Sequence, residues 1–308
     1  MKPRSAKDFE SIIAKPRLDS YRGYFHTQCL EESIGLYMWN CELSACFATL
    51  LSIFEVTLRN QVHRAMSLHY SNGASTSSHW YDRIWGQLKP QSRSKIEAVR
   101  HEGPPHRRIL RNPAPSPDEI VSRVSFGFWP NILAAIDRRV NFADRILPAI
   151  FPDHPLNGRP FDWTDSAKLS TALAFTHELN TFRNRVAHNE PLWKFAALYG
   201  NAGAQIYPPS INLGDSVTRL RRILALLDDA MKSMSGGMFV DLQSSSWRRK
   251  TNYLLSKRGI LRYRTYSHCP ADTAVSPLEF QRNFHQIFRT NQPVRIIKSG
   301  SKGLFVPE

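Results

Sequence analysis

Acidic residues are scarce in this 308-residue chain, with 26 Asp and Glu against 41 Lys and Arg and a formal net charge of +15. Such an imbalance does not suit an enzyme of small neutral substrates. It points first to a polyanion, because basic side chains that neutralise phosphates gain by releasing counterions; charge alone leaves an ordinary basic protein equally open. Cysteine is also sparse. Cys29, Cys41, Cys46 and Cys269 have neither paired zinc-ligand spacing nor the density of a disulfide scaffold, so they read as core fillers. A long apolar run is missing too. The opening MKPRSAKDFESIIAKPR carries charge without the apolar stretch of a signal peptide, and residues 45–56, broken by Thr49 and Ser52, fall short of a membrane span. The expectation is a cytoplasmic protein with no membrane partner. His177, Glu178 and His188 lack HExxH spacing and the acids are scattered, so neither a metal nor a cofactor is expected.

What remains is a chain that is 42% hydrophobic and can bury a large core in one large domain or two smaller ones. Residues 1–30 read as an arm with a short helix. From 31 to 70 there is no Pro, and no Gly after Gly35, which predicts one long helix or two stacked ones. Phe47, Leu51, Phe54, Leu58 and Val62 mark its buried side, and Glu55, Arg59 and His63 form a row spaced by four beside it, normally a solvated salt-bridge face. Residues 71–82 read as a loop and 85–100 as a helix. The segment 101–119, with five prolines, should be irregular and exposed; it either offers Arg107 and Arg108 to a phosphate backbone or is a mobile linker with incidental charge. Asp118 reads as the cap of a helix running to about Phe126, Gly127 and Pro130 as a break, Phe128 and Trp129 as core anchors, 131–147 as helix, and 148–165 as a loop ending in the cap Asp165 or Ser166. Residues 213–234 give an amphipathic helix with Leu220, Ile223, Leu224 and Leu227 inward and Arg219, Arg221 and Arg222 outward or at the edge. Past Gly236 the character changes. Residues 241–308 hold twelve Lys and Arg against four Asp and Glu. The run WRRKTNYLLSKRGILRYRTY, with Arg248, Arg249 and Lys250, interleaves aromatics and cations as a nucleic-acid surface would, though an ordinary basic helix fits it nearly as well, and PVRIIKSGSKGLFVPE alternates like a short β-pair.

The densest chemistry lies in residues 175–193, FTHELNTFRNRVAHNEPLW. Phe175, Leu179, Phe182 and Val186 recur at helical spacing, and His177, Thr181, Asn184 and His188 make a second, polar face. Pro191 predicts that regular helix stops near Asn189 or Glu190, which leaves His188 at a helix end. With 29 arginines and 11 histidines, an Arg followed by His five places on is expected roughly once by chance, and two occur. Arg64 with His69 is taken as the accidental one. Requiring Asn directly after the Arg lowers the expectation to about 0.05, and Arg183, Asn184 and His188 alone satisfy it.

Here the chain resembles a known family. Arg-Asn, three residues, then His near a helix end resembles the signature of the HEPN (higher eukaryotes and prokaryotes nucleotide-binding) ribonucleases. LSIFEVTLRNQVHRAMSLHY at 51–70, VSFGFWPNIL at 124–133 and FRNRVAHNEPLW at 182–193 resemble, in that order, the Abi-like (abortive infection) proteins of bacteria. The resemblance covers about residues 29–234. It implies a mainly α fold, a HEPN-type helical bundle over 31–235 between the arm at 1–30 and a basic extension at 236–308. It implies Arg183, Asn184 and His188 as catalytic residues, and Glu55, Arg59 and Asn60 as residues that orient the site or bind RNA. Glu178 and Glu190, which flank the signature, are candidates for the same support. The string LRNQVH at 58–63 echoes FRNRVAH, so two facing helices could each give an Arg-Asn pair to one groove; an accidental echo is as open. His63 does not have the catalytic spacing.

Metal-free RNA cleavage needs a group that takes the 2′-hydroxyl proton, a cation for the phosphorane and a proton for the leaving 5′-oxygen. Histidine titrates nearest neutral pH, arginine presents a charged fork of donors, and asparagine can position either partner. Five residues along a helix separate Arg183 and His188 by about 140° and about 7.5 Å of rise, so a shared site needs a bend or a second copy of the helix. The resemblance implies the second copy, hence a homodimer with an RNA substrate, 2′,3′-cyclic phosphate and 5′-hydroxyl products, and an antitoxin or phage-derived trigger as a further partner. Two other readings stay open: a non-catalytic RNA-binding or regulatory module in which Arg183 and His188 hold helices together, and a toxin–antitoxin partner that acts by protein contact.

Overall fold

A computed structural model describes residues 5–104, 106–137, 140–158, 163, 165–200, 203–265, 274–290 and 294–305. In chain order the helices begin with α1 (Ala6–Ile13), α2 (Lys15–Phe25), α3 (Leu30–Tyr70), α4 (Trp80–Arg83) and α5 (Pro90–Arg100). Strands β1 (His101–Glu102) and β2 (Ile109–Leu110) precede α6 (Pro117–Arg123), α7 (Phe128–Asp137), α8 (Val140–Ile150) and α9 (Ser166–Ala187). Then come β3 (Leu198–Tyr199), β4 (Gln205–Tyr207), α10 (Leu213–Met234), α11 (Gly236–Ser244), α12 (Ser246–Leu254) and α13 (Lys257–Arg264). The last elements are β5 (Ala274–Val275), α14 (Pro277–Arg282), α15 (Phe284–Thr290), β6 (Val294–Lys298) and β7 (Ser301–Phe305). The fold is mainly helical with a short β-pair near its carboxy end, as the sequence predicts.

The described elements gather into two compact units, one built from Met1–Cys46, Pro191–Thr218 and Ser245–Glu308, the other from Phe47–Glu190 and Arg219–Ser244. In the first, Trp193 is the hub. Its ring lies 5.1 Å from Tyr21, 4.3 Å from Tyr24 and 5.1 Å from Phe25. Buried Asn40 accepts the Leu192 amide at 2.8 Å, and the Trp39 indole donates to the Leu254 carbonyl at 2.8 Å, so two consecutive residues of α3 tether both later segments of this unit. Gly35 makes that approach possible: a Cβ there would stand 1.9 Å from the carbonyl oxygen of Tyr263. The β6–β7 hairpin turns through Ser299 and Gly300, both at positive φ, as a two-residue hairpin of the favoured twist requires, and β5 joins β6 in parallel. The sequence reading gives no helix over 277–290, where α14 and α15 lie.

In the second unit, Phe47, Phe54, Leu58 and Val62 of α3 are 0% exposed and Leu51 is 2% exposed, which bears out the predicted buried side. Phe128 and Trp129 are core residues, as expected. Several boundaries differ from the sequence reading. The α6 cap is Ser116, whose hydroxyl accepts the Glu119 amide at 3.1 Å, with Asp118 in the first turn. Pro130 sits third in α7, where the amide has no intrahelical acceptor, so it does not break the helix. Pro148 lies inside α8, which closes two residues later. The 85–100 helix is a 3-10 turn at Trp85–Gln87 followed by α5, with Pro90 in its first turn. The described residues of the proline-rich segment are mostly exposed, with Pro115 buried, and they hold the β1–β2 ladder. Asp165 caps α9, its carboxylate accepting the Ala167 amide at 2.9 Å.

By length and composition α3 is long and apolar enough to cross a membrane, with a window of mean hydropathy 1.6, although its run at 45–56 alone is too short to span one. Its Trp39, Leu43, Phe47, Leu50, Phe54 and Leu58 are wholly enclosed by protein, which is how a core helix uses the same residues. Cys46 is buried and Cys29 and Cys41 are half-buried, while Cys269 lies outside the described residues.

Candidate functional site

The two faces read from 175–193 are the faces α9 shows. Leu179, Phe182 and Val186 are buried, and Phe182 meets Phe47 of α3 at 4.9 Å between ring centroids. Phe175, half-buried, lies 6.3 Å from Phe54 and 6.1 Å from Phe151. His177, Thr181, Asn184 and His188 are exposed. The end of α9 is set by Asn189, in the left-handed region at φ 52, ahead of Pro191. The Glu190 amide reaches back to the Arg185 carbonyl at 3.0 Å and the Asn189 amide to that of Val186 at 3.1 Å, the paired closing bonds of a helix that ends on a left-handed residue. His188 is the first residue past the regular helix, its own amide bonded to the Asn184 carbonyl at 2.9 Å.

Arg183 projects beside α3. Its Nε lies 3.8 Å from Glu55 Oε2, with the Arg183 side chain 37% exposed and that of Glu55 19%. Burial pushes the Glu55 carboxyl above its usual range, against the opposing pull of Arg183 and then Arg59. Arg59 turns its guanidinium to the Ser122 carbonyl at 3.3 Å, and Asn60 is exposed on α3. The structure thus brings Glu55, Arg59 and Arg183 together. The solvated row of Glu55, Arg59 and His63 is not formed, because the first two turn to these partners and His63 is buried.

Glu178 and Glu190 hold arginines. Glu178 is ion-paired with Arg222 of α10, and Glu190 with Arg185 at 3.4 Å. Burial lowers the Arg185 guanidinium from its ordinary value, Glu190 counters that and nearby Arg219 adds to it. Arg219 is itself only 7% exposed, which corrects its expected place on the outer face or edge of α10. Sequence reasoning on the site passed over Arg185, Arg219 and Arg222. The available signal was their position: Arg185 two residues past Arg183, and Arg219 and Arg222 three residues apart on either side of buried Leu220.

His63, Ser77 and Asp118 meet in a way that resembles a nucleophilic triad in composition only. The Trp80 indole donates to His63 Nδ1 at 2.9 Å, so the neutral ring carries its proton on Nε2, which faces Ser77 Oγ at 3.1 Å and Asp118 Oδ1 at 3.4 Å. Ser77 donates to the Asp118 carboxylate at 2.8 Å. A protonated Nε2 cannot take the serine proton, so this group ties a loop to α3 and α6.

Of the outlying basic candidates, Arg107 and Arg108 are exposed between β1 and β2. Arg249 is exposed, Arg248 is half-buried, and Lys250 pairs with Glu42 at 2.7 Å. Among the described residues no three His, Cys, Asp or Glu side chains gather as metal ligands would. The chemistry on offer at the end of α9 is an arginine backed by a carboxylate, an exposed asparagine and an exposed histidine. No protein-family model, no curated protein and no solved structure matches the chain.

Proposed function

We propose that the chain is a metal-independent endoribonuclease of a bacterial abortive-infection or toxin-type system, acting as a homodimer. The observation that carries this reading is the end of α9, where Arg183 is held against Glu55 while Asn184 and His188 face solvent. In the proposed reaction one His188 takes the proton from a 2′-hydroxyl, and the freed O2′ attacks the adjacent phosphorus. The P–O5′ bond then breaks, and the 5′-oxygen gains the proton that this His188 took from the 2′-hydroxyl. Arg183 neutralises the charge that grows on the phosphorane, and Asn184 positions the phosphate or the imidazole. Glu55 limits where the Arg183 guanidinium can point. DNA, which lacks the 2′-hydroxyl, resists.

The test is incubation of labelled single-stranded RNA in EDTA with the wild-type chain and with His188→Ala. Wild type should leave cyclic-phosphate ends, and the variant should be slower by about 100- to 10,000-fold. Equal cleavage by both would remove His188 from the chemistry. A second reading is favoured by the Arg183–Glu55 pair itself, which can act as a clamp between α3 and α9 in a non-catalytic RNA-binding or regulatory module. RNA retarded in a gel but equally intact with both proteins, in the presence of an activating antitoxin or phage-derived partner as well as without it, selects that module.

A further inference from the structure

The last helices hold a site that the α9 residues do not use. An open hollow of about 740 Å³ beside α14 and α15 is lined by Arg282, Asn283, His285, Gln286 and Arg289. His285, Gln286 and Arg289 share a side of α15, and Arg282 is the last residue of α14, separated from α15 by Asn283. Every lining side chain can donate a hydrogen bond, and none is acidic. The carboxylate one turn before Arg282, Glu279, lies outside the lining and accepts the Ser276 amide at 2.7 Å and the Ser276 hydroxyl at 2.9 Å, with the Arg282 charge also favouring its ionised form. Among the described residues neither Arg282 nor Arg289 is ion-paired, and Arg258 brings a third guanidinium to the last turn of α15 through the Arg289 carbonyl at 3.1 Å. Cations gathered around a hollow without acids repel one another, and an anion seated there relieves that repulsion.

Further round α15, outside the lining of the hollow, lies an aromatic cluster that also holds Phe280. Phe284 and Phe288, 39% and 45% exposed, stand on successive turns of α15 with ring centroids 4.8 Å apart, and Phe305 of β7 lies 6.2 and 5.6 Å from them. A carboxylate-bearing peptide would use the arginines and leave the rings idle. A polynucleotide uses both, and only a base freed from its pair can lie on a ring.

We infer that the α14–α15 hollow and the phenylalanine cluster further round α15 bind single-stranded nucleic acid, with backbone phosphates between Arg282 and Arg289 and a base against Phe284 or Phe288. The site is separate from Arg183 and His188, and leans on the proposed function only for choosing RNA over DNA. It is tested on the full chain carrying His188→Ala, with a fluorescent 12-nucleotide single strand, as RNA and as DNA, and with a duplex of equal length, by anisotropy over a salt series. Arg282→Glu with Arg289→Glu should weaken single-strand binding at least tenfold and reduce the slope of log K against log salt by about 1.4, two phosphate contacts at about 0.7 each. Phe288→Ala should cost about tenfold and Phe288→Trp should retain binding. No single-strand binding by the parent, unchanged affinity in the double arginine variant, or equal affinity for duplex would each overturn the inference. If the wild-type chain fails to cleave RNA while the His188→Ala chain loses single-strand binding on Arg282→Glu with Arg289→Glu, the hollow is kept and the nuclease reading is lost. If the wild type cleaves and the double arginine variant binds as before, the reverse holds.

Discussion

Glu55 is pulled in two directions, and the stronger one decides what its removal does. Partial burial disfavours the carboxylate more than Arg183 and Arg59 favour it, so the folded state holds a proton on Glu55 more tightly than the unfolded chain does. Its ionised form therefore costs stability as pH rises past that raised value. Glu55→Gln should leave the urea midpoint at pH 8 unchanged or higher, while RNA cleavage falls about 10- to 100-fold as Arg183 loses its guide. A lowered midpoint with full cleavage would make Glu55 a structural clamp only. His63 runs the other way. Burial lowers its folded pKa, Asp118 only partly offsetting this, and His69 and His154 are lowered by burial too. Each binds fewer protons folded than unfolded, so their contribution is complete above the unfolded value near 6.5 and is lost as pH falls below it. Urea midpoints should drop between pH 7 and pH 5, and more steeply for wild type than for His63→Gln; parallel slopes would remove His63 as a source. The pattern of α9 made Arg183, Asn184 and His188 legible in sequence, because face and spacing are local. Spacing alone could not pair Arg183 with Glu55, which lies 128 positions before it and meets it only through the packing of α3 on α9; the resemblance alone put Glu55 near the site.

Elements show the same division. The long apolar rhythms of α3, α9 and α10 read correctly, because a stripe repeated over many turns has one comfortable arrangement. Helix ends were missed where a single residue decides: Ser116 in place of Asp118, and Pro130 and Pro148 accommodated inside helices. For α14 the signal was present, since Ser276, Pro277 and Glu279 spell a capping box that the structure forms. The helix is only six residues long, too short for a periodic stripe to draw attention. Gly35 gives the clearest element-scale test. In an exposed helix Gly→Ala gains about 1 kcal/mol, yet a methyl here would stand 1.9 Å from the backbone oxygen of Tyr263, which cannot swing aside as a side chain can. Gly35→Ala should lose about 1–3 kcal/mol, read as a lower urea midpoint. A rise would show that α3 and α13 do not need the close approach.

For the whole molecule, the charge excess and the order of segments were readable, but the two units were not. Each unit takes pieces far apart in sequence, with 191–218 and 245–308 joining the first 46 residues, and composition along a line does not report such returns. The proposed dimer has a consequence at this scale. Five residues of helix set Arg183 and His188 about 140° apart, so the nearest arginine to a reacting histidine comes from the second protomer if the active site spans both copies. Arg183→Ala and His188→Ala chains, each inactive alone, should then recover RNA cleavage when mixed after mild unfolding and refolding, since about half of random dimers pair one variant with the other and unite an intact Arg183 with an intact His188. If every site lies within one chain, each mixed dimer still holds two broken sites and the mixture stays as inactive as its parts. A sedimentation profile taken on the same mixture separates the cases: cleavage that returns only in the dimer fraction ties activity to the shared cleft, whereas a dimer without recovered cleavage confines the reaction to a single chain.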